Sequence, residues 1–380
     1  MAGQAEANAA LAAVVDPALR RPVVEFGIVR GVAVDGDLAV VTLVPPLEDL
    51  GYRGALHAAI TDALTALDGI GRVEFSVSEP SEAELSALAA RLRGEPAPNP
   101  LAVTDAGAPQ APRQHPNPFT NSNTRVLAIA SGKGGVGKSS VTTNLAIALA
   151  QRGHRVAAVD ADVWGFSMPR MLGIASPPEV IDDLIVPPAA HGVELISMGY
   201  FAREDQAVVW RGPMLHKALE QFLTDVFWDE PDYLLVDMPP GTGDVSLSIA
   251  QFLPRAEMII VTTPQPAAQK VAQRAAAMAD KVDLKVTAVI ENMSWFRGDD
   301  AKVYDLFGSG GGEELAGSLG VPLLARIPLV PALREGGDDG HPITVAHPDD
   351  EAAVAFREAA ERIDTELAPR QIRRPELRIN

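Results

Sequence analysis

The first 94 residues alternate short apolar runs with amphipathic stretches, which predicts a small α+β domain. Residues 28–34 and 38–44 are predicted strands, because they flank Asp35-Gly36, a dipeptide typical of hairpin turns. Residues 52–67 carry apolar side chains at helical spacing, which predicts a helix with one buried face. Two further helices and a third strand complete this predicted domain, at 5–14, 81–92 and 73–77.

A different pattern occupies residues 125–367, where continuous apolar runs alternate with helical segments. The apolar runs are predicted strands at 125–130, 156–160, 233–238, 258–263, 285–291 and 323–327. Helical patterns lie between them, for example at 141–150, 213–227, 267–282 and 312–319. Strands that are apolar on both faces and alternate with helices predict an α/β domain with a doubly wound, mostly parallel sheet.

Two segments lack a pattern that could pack a core. Residues 95–124 are rich in proline, glycine and asparagine, which predicts an extended linker. Residues 368–380 are arginine-rich and broken by Pro369 and Pro375, which favours a solvated tail. The sequence therefore predicts a small domain at 1–94, a linker at 95–124, an α/β domain at 125–367 and a tail.

Composition restricts the possible functions. The formal net charge of −18 argues against nucleic acid and against anionic membrane surfaces as partners. No apolar run reaches the length of a membrane span, and the first 14 residues lack the basic start of a secretory signal, so we expect a cytoplasmic protein. The chain contains no cysteine, which excludes disulfides, zinc–thiolate sites and thiol nucleophiles.

The strongest chemical signal is a phosphate-binding loop between the predicted strand 125–130 and the helix that follows it. Its glycines allow consecutive backbone N–H groups to face one anion, and the helix N-terminus adds positive charge. Lys138 is expected to reach the β- and γ-phosphates of ATP, and the Ser139 hydroxyl is expected to bind Mg²⁺. The predicted nucleotide-binding residues are Gly132, Lys133, Gly134, Gly135, Val136, Gly137, Lys138, Ser139 and Ser140.

Acidic residues end two of the predicted strands, where side chains of such sheets face the ligand crevice. Asp237 follows an apolar strand and is expected to hold a water on Mg²⁺. Asp160 and Asp162 end another strand; one is expected to hold the attacking water and the other to support Mg²⁺ or the loop. An aspartate pair that caps the next turn is the alternative. Gly241 is expected to offer its N–H to a γ-phosphate, or else to form a plain turn.

Two further features have two interpretations each, and a third is unusual for a phosphate-binding loop. Asn292 follows a predicted strand, and its amide suits an adenine edge, although a simple turn is also possible. The glycine-rich stretch 308–312 precedes a helix, and we favour a flexible helix entry over a second anion site. Lys133 places a second cation in the loop, which is unfavourable unless that cation meets additional phosphate charge.

The chain resembles the Mrp family of P-loop ATPases, which belongs with MinD, ParA and the nitrogenase iron protein. The resemblance covers about residues 125–365, and it rests on the following segments: 132–139, 160–165, 237–244, 290–294, 307–314 and 326–331. The first 94 residues also resemble the small domain that precedes many such ATPases, through Asp16-Pro17 and residues 25–29.

This resemblance implies specific roles and partners. A lysine at the Lys133 position reaches the partner's nucleotide across an ATP-bound homodimer, and the residue at the Asp162 position orients the attacking water. Lys138 completes the implied catalytic set. Family members carry iron–sulfur clusters and transfer them to apoproteins, so ATP, Mg²⁺, a second copy, and iron–sulfur apoproteins or assembly factors are the implied cofactors and partners.

The sequence departs from the family where a cluster would be held. Cluster-carrying members have Cys-x-x-Cys after the segment that ends at Phe296, whereas this chain has Arg297-Gly-Asp-Asp300. The small domain has Leu47-Glu-Asp-Leu50 near the place of its usual cysteine. Iron–sulfur clusters require thiolate ligands, and the oxygens of Asp299 and Asp300 are poor replacements. The family implies an iron–sulfur cluster, but the residues present do not supply its ligands.

Three functions remain open from the sequence. The first is a dimeric Mg²⁺-ATPase assigned by its family to iron–sulfur cluster delivery. The second is a nucleotide-gated protein that docks partners in cluster assembly without its own cluster. The third is a positioning ATPase like MinD or ParA, which the lack of an amphipathic C-terminal helix disfavours.

Overall fold

The computed structural model describes residues 3–95, 115–120, 122–163, 165–201, 212–241 and 244–367. Most of the predicted linker, all of the predicted tail and Thr242-Gly243 therefore lie outside the described residues. Within those ranges, none of the helices combines the length and the apolar character that a membrane crossing requires.

The helices are α1 (Gln4–Ala12), α2 (Leu50–Thr65), α3 (Glu82–Leu92), α4 (Lys138–Gln151), α5 (Met168–Met171), α6 (Gly212–Thr224), α7 (Asp244–Phe252), α8 (Pro266–Lys281), α9 (Gly311–Leu319), α10 (Pro331–Asp339), α11 (Ile343–Ala346) and α12 (Glu351–Thr365). The strands are β1 (Val29–Asp35), β2 (Leu38–Leu43), β3 (Arg72–Val77), β4 (Arg125–Ser131), β5 (Val156–Asp160), β6 (Glu179–Ile181), β7 (Leu184–Val186), β8 (Ala189–Ala190), β9 (Val193–Ser197), β10 (Tyr233–Asp237), β11 (Glu257–Thr262), β12 (Lys285–Glu291), β13 (Phe296–Arg297), β14 (Val303–Tyr304) and β15 (Leu323–Arg326).

The chain divides into two compact units. The first comprises Met1–Gln114, Ser176–Pro188 and Asp225–Asp229, and the second comprises the remainder. The first unit contains a three-stranded sheet in which β1 and β2 are antiparallel and β2 and β3 are parallel. The apolar face of α2 is buried in its core through Leu56, Ile60 and Leu64. The predicted α+β character of this part of the chain is confirmed.

Two segments that are distant in sequence complete the first unit. The antiparallel hairpin of β6 and β7 places Leu184 in the same buried cluster as the α2 residues, and Phe227 joins that cluster as well. The Glu179 carboxylate accepts hydrogen bonds from the backbone N–H groups of Glu48 (2.6 Å) and Asp49 (3.2 Å) at the start of α2. The sequence assigned these segments to the α/β domain, but their apolar side chains are buried in the other core.

The second unit contains an eight-stranded sheet in the order β15-β12-β11-β4-β10-β5-β9-β8. Neighbouring strands are parallel throughout, except that β8 runs antiparallel to β9 at one edge. The predicted doubly wound, mostly parallel sheet is therefore confirmed. The sequence did not predict β8 and β9.

The sheet positions the candidate site through the register of its central strands. Asp237 at the end of β10 pairs with Ile129 of β4 on one side and with Asp160 of β5 on the other. The core beneath is formed by strand residues such as Leu127, together with α4 and α12 residues such as Leu145 and Phe356, all fully buried. Because parallel strands end at the same edge, the loop after β4 and both aspartates meet there.

Candidate functional site

The glycine-rich loop connects β4 to α4, as predicted, and its glycines are required by geometry. Gly135 and Gly137 have φ angles of +77° and +79°, a conformation that other residues rarely adopt. A Cβ atom on Gly132 would lie 2.4 Å from the backbone carbon of Val271 in α8. The backbone can therefore approach an anion at the N-terminus of α4, where helix N–H groups are available.

Lys138, the first residue of α4, is buried and directed toward the acidic strand ends. Its Nζ atom donates to Asp237 Oδ2 at 2.7 Å and lies 3.6 Å from Asp162 Oδ2. The side chain is 6% exposed. The structure therefore brings together the lysine and two of the acidic residues that the sequence selected.

Asp237 is the centre of the polar network, and it is fully buried. Its Oδ2 atom also accepts from Ser139 Oγ at 2.6 Å, and its Oδ1 atom accepts from Thr142 Oγ1 at 2.6 Å. Sequence reasoning missed Thr142; the signal that could have found it is a hydroxyl residue four positions after Lys138, which places both on the same face of α4.

The donor set fits Mg²⁺. Ser139 Oγ and Asp237 Oδ2 are adjacent oxygens, and Mg²⁺ is usually held by one or two such protein ligands together with phosphates and water. The buried carboxylates of Asp162 and Asp237 lie 3.6 and 2.7 Å from Lys138 Nζ, and a divalent cation would balance the negative charge that the lysine leaves over.

Asp160 is fully buried and accepts hydrogen bonds from the chain that follows it. Its donors are the backbone N–H groups of Asp162 (3.3 Å), Ser167 (3.1 Å) and Met168 (3.3 Å) and the Ser197 hydroxyl (3.0 Å). Burial, followed by the charge of Asp237, raises the pKa of Asp160 to about 7. Asp160 thus contacts the loop that carries Asp162, and its support of Mg²⁺ stays a prediction.

Asn292 and Gly241 both contact the strand and loop that form the phosphate site. Asn292 is 2% exposed, and its Nδ2 atom donates to the Val136 carbonyl at 2.9 Å. The contact with an adenine edge stays a prediction; the Val136 contact uses only one of the two N–H groups of this amide, and the Oδ1 acceptor has no hydrogen-bond partner among the described residues. The N–H group of Gly241 donates to the Ser131 carbonyl at 2.9 Å, so its contact with a γ-phosphate also stays a prediction.

The remaining loop residues differ in their exposure. Gly134 is exposed at the tip of the loop, whereas Val136 is buried. The Ser140 carbonyl accepts from the Asn144 amide at 2.9 Å within α4. Lys133 is half-buried, and its Nζ atom donates to Gln265 Oε1 at 3.1 Å. The sequence did not single out Gln265.

A protein carboxylate lies at the N-terminus of α9, where the sequence offered either a helix entry or an anion site. Glu291 is fully buried, and its Oε2 atom accepts from the Gly312 N–H at 2.5 Å. Its Oε1 atom accepts from Arg326 Nε at 3.1 Å. The stretch 308–312 leads into α9 at Gly311, and Glu291 occupies one N–H group of this helix end; the flexibility of the entry stays a prediction.

The segment that replaces the family's Cys-x-x-Cys forms the small β13–β14 hairpin. Arg297 Nε donates to Glu351 Oε1 at 2.7 Å, and Asp300 Oδ2 accepts from the Tyr304 hydroxyl at 2.8 Å. Across the described part of the chain, no group of three His, Cys, Asp or Glu side chains is arranged to hold a metal ion. These residues do not fit an iron–sulfur cluster, which needs thiolates.

The parallel sheet, the glycine-rich loop at the N-terminus of α4, and the aspartates around Lys138 define a P-loop NTPase. Comparison with family models agrees with this class. The model described as "NUBPL iron-transfer P-loop NTPase" matches residues 122–364, and the chain belongs to this family. The model described as "Iron-sulfur cluster assembly protein" matches residues 4–77.

Relatives with similar sequences cover most of the chain. An iron-sulfur cluster carrier protein from Mycobacterium leprae is 42% identical over 345 residues, which is 89% of this chain and 86% of the relative. A protein of the same name from Synechocystis is 38% identical over 355 residues, which is 92% of this chain and 93% of the relative.

Two solved structures are similar to a large part of the chain. A nucleotide-binding protein from Archaeoglobus fulgidus in complex with ADP has 32% identity and a TM-score of 0.53, covering 61% of this chain and 91% of that one. The septum site-determining protein MinD from Pyrococcus horikoshii, complexed with Mg-ADP, has 27% identity and a TM-score of 0.50, covering 64% and 96%.

Proposed function

We propose that this protein is a Mg²⁺-dependent ATPase that works as a homodimer in the delivery of iron–sulfur clusters, without holding a bridged cluster itself. The observation that carries the proposal is the network around Asp237, in which Lys138, Ser139 and Thr142 converge on one buried carboxylate. Relatives named iron-sulfur cluster carrier proteins, which cover about nine-tenths of the chain, support the biological context.

Each residue of the network has a proposed task. Lys138 exchanges its contact with Asp237 for the β- and γ-phosphates of ATP. Ser139 and Asp237 then hold Mg²⁺, which would neutralise charge on the transferred phosphoryl group. Asp162, whose Oδ2 atom lies 3.6 Å from Lys138 Nζ, orients the attacking water. Asp160 keeps the loop of Asp162 in place through its backbone contacts.

The proposed homodimer follows from the second lysine of the loop. Lys133 has a neutral hydrogen-bond partner, Gln265, so its positive charge is not neutralised by that contact. Nucleotide phosphates of a second copy, placed across a two-fold axis, would supply the missing negative charge. Both subunits gain the same contact, which favours a closed dimer when ATP is bound.

The proposed role in cluster delivery is indirect. The chain has no cysteine, and the hairpin at the family's ligand position is held by ion pairs and hydrogen bonds. A cluster is therefore cargo on a partner that provides the thiolates, and ATP binding gates the docking of that partner. The matches to cluster carriers extend over the first unit as well, so they favour this function over a MinD-like positioning ATPase.

Measurements of ATP binding and hydrolysis test the proposal. Lys138→Ala is expected to abolish ATP binding, because it removes the charge that pairs with the phosphates. Lys133→Ala is expected to bind ATP normally and to lose hydrolysis. Lys285→Ala removes an exposed lysine at the opposite end of the sheet, at the start of β12, and serves as the control. Equally poor ATP binding by both loop variants would contradict the role of Lys133 across the dimer.

A further inference from the structure

The two lysines of the phosphate loop are held in different ways. Lys138 is engaged by carboxylates, at 2.7 Å from Asp237 and 3.6 Å from Asp162. The hydrogen bond of Lys133 to the Gln265 amide oxygen, at 3.1 Å, involves a neutral acceptor. We call the contact between Lys133 Nζ and Gln265 Oε1 the resting contact. It positions the ammonium without neutralising it.

The Gln265 side chain does not contribute to capping its own helix, α8. It is the N-cap residue of α8, but its side chain makes no capping hydrogen bond. Its backbone carbonyl accepts the N–H groups of Ala268 (2.9 Å) and Gln269 (3.4 Å). Pro264 and Pro266 flank it and restrict the backbone on both sides. The backbone that carries the Gln265 side chain is therefore restricted next to Lys133.

The electrostatic setting makes the resting contact weaker than an ion pair would be. The N-terminus of a helix carries partial positive charge, which is unfavourable for a nearby ammonium ion. The Gln265 oxygen offsets this with one charge-assisted hydrogen bond. A carboxylate at the same position would instead form an ion pair and would be stabilised by the helix. A neutral acceptor thus holds Lys133 and still allows it to leave.

We propose that Gln265 is a positioning residue that holds Lys133 in its resting position until the nucleotide of a second copy displaces the contact. This inference rests on the proposed function, in which Lys133 acts across the dimer. Dimer formation then requires two resting contacts to break, one in each subunit. The strength of this contact therefore sets the protein concentration at which ATP drives dimerisation.

Two substitutions of Gln265 should change the dimer dissociation constant in opposite directions. Gln265→Ala removes the resting contact without removing a helix cap, so the ATP-dependent dimer should form more readily. Loss of a hydrogen bond to a charged group changes an equilibrium about tenfold, which gives about a hundredfold lower dimer dissociation constant for two subunits. Gln265→Glu replaces the contact with an ion pair, so the dimer dissociation constant should rise, and added salt should reduce that rise.

The experiment measures the dimer dissociation constant by sedimentation velocity with Mg²⁺ and a non-hydrolysable ATP analogue. It uses the full chain as wild type, Gln265→Ala and Gln265→Glu. ATP affinity at protein concentrations below dimerisation, together with thermal stability, should be equal in all three. A purely structural role for Gln265 would change these two quantities as well. The same substitutions in a Lys133→Ala background provide the matched control, because the resting contact is absent there.

Each result has a defined meaning. The inference is supported if Gln265→Ala and Gln265→Glu shift the dimer dissociation constant in opposite directions and if neither shift occurs in the Lys133→Ala background. Shifts in the same direction, no shifts, or shifts that persist without Lys133 overturn it. If Lys133→Ala alone dimerises and hydrolyses ATP normally, both the proposed role of Lys133 and this inference are wrong. If Lys133→Ala loses hydrolysis while the Gln265 variants match the wild type, only this inference is wrong.

Discussion

Leu184 tests how the first unit is built. It lies far along the sequence from Met1–Gln114, the segment that supplies most of that unit. Its side chain is 2% exposed and belongs to the same buried cluster as Ile60 and Leu64 of α2. Leu184→Ala removes three buried carbon groups, which at about 0.8 kcal/mol each gives about 2.4 kcal/mol. The cavity left behind adds to this, so we expect a loss of about 3 kcal/mol from the first unit.

Differential scanning calorimetry with and without Mg-ATP measures this effect. Because ATP binds the folded second unit, it should raise the melting temperature of that unit by mass action. The transition whose temperature does not change is then the transition of the first unit. A loss of about 3 kcal/mol should lower that transition by roughly 12 °C for a domain of this size. Val180→Ala, on the same hairpin but 57% exposed, is the control and should change little. A shift confined to the ATP-sensitive transition would refute the assignment of Leu184 to the first core.

Two further predictions concern the second unit. Asp162→Ala should stop hydrolysis and trap the ATP-bound dimer, which light scattering would detect; a monomer at saturating ATP contradicts the role of Asp162. Burial raises the pKa of Asp364, but hydrogen bonds from Tyr233, Arg152 and His154 outweigh it and lower the pKa. This stabilisation is fully present above the unfolded-state pKa of about 3.9 and is lost as pH falls through the lower folded-state value. Asp364→Asn should therefore lose about 1–3 kcal/mol at neutral pH and show a weaker acid dependence in chemical denaturation, unlike the exposed control Asp349→Asn.

The parts of the fold that the sequence predicted are those in which local pattern and final environment agree. Residues 126–130 and 233–236 are continuous apolar runs, and the strands found there, β4 and β10, are buried on both faces at the centre of the sheet. The glycine-rich loop was predicted because the motif is continuous in sequence. Its Gly135 and Gly137 meet a backbone requirement that is local as well.

The elements that the sequence did not predict depend on distant contacts. Residues 193–197 form an inner strand, β9, although a glutamate interrupts the apolar run; Glu194 is 5% exposed there. The β6–β7 hairpin is buried in the first unit's core, most of which is formed by residues of the first 94 positions, and no local periodicity indicates that.

The same distinction applies to the site. Lys138, Asp237 and Asp160 follow from strand and loop motifs, and the structure places them in one network. Thr142 and Gln265 belong to no sequence motif. They are important because the fold places Asp237 next to Thr142 and Lys133 next to Gln265.

The most direct test of the account is anaerobic reconstitution of the purified protein with iron and sulfide, followed by gel filtration and an absorbance spectrum. The account predicts ATP hydrolysis but no stable bridged cluster, because the chain has no cysteine. The double variant Arg297→Cys with Asp300→Cys restores the Cys-x-x-Cys spacing on the β13–β14 hairpin and should gain a cluster shared between two subunits, which shows that the assay can detect one. A brown wild-type protein that retains stoichiometric iron and sulfide after gel filtration, and passes the cluster to an apoprotein, would contradict the account.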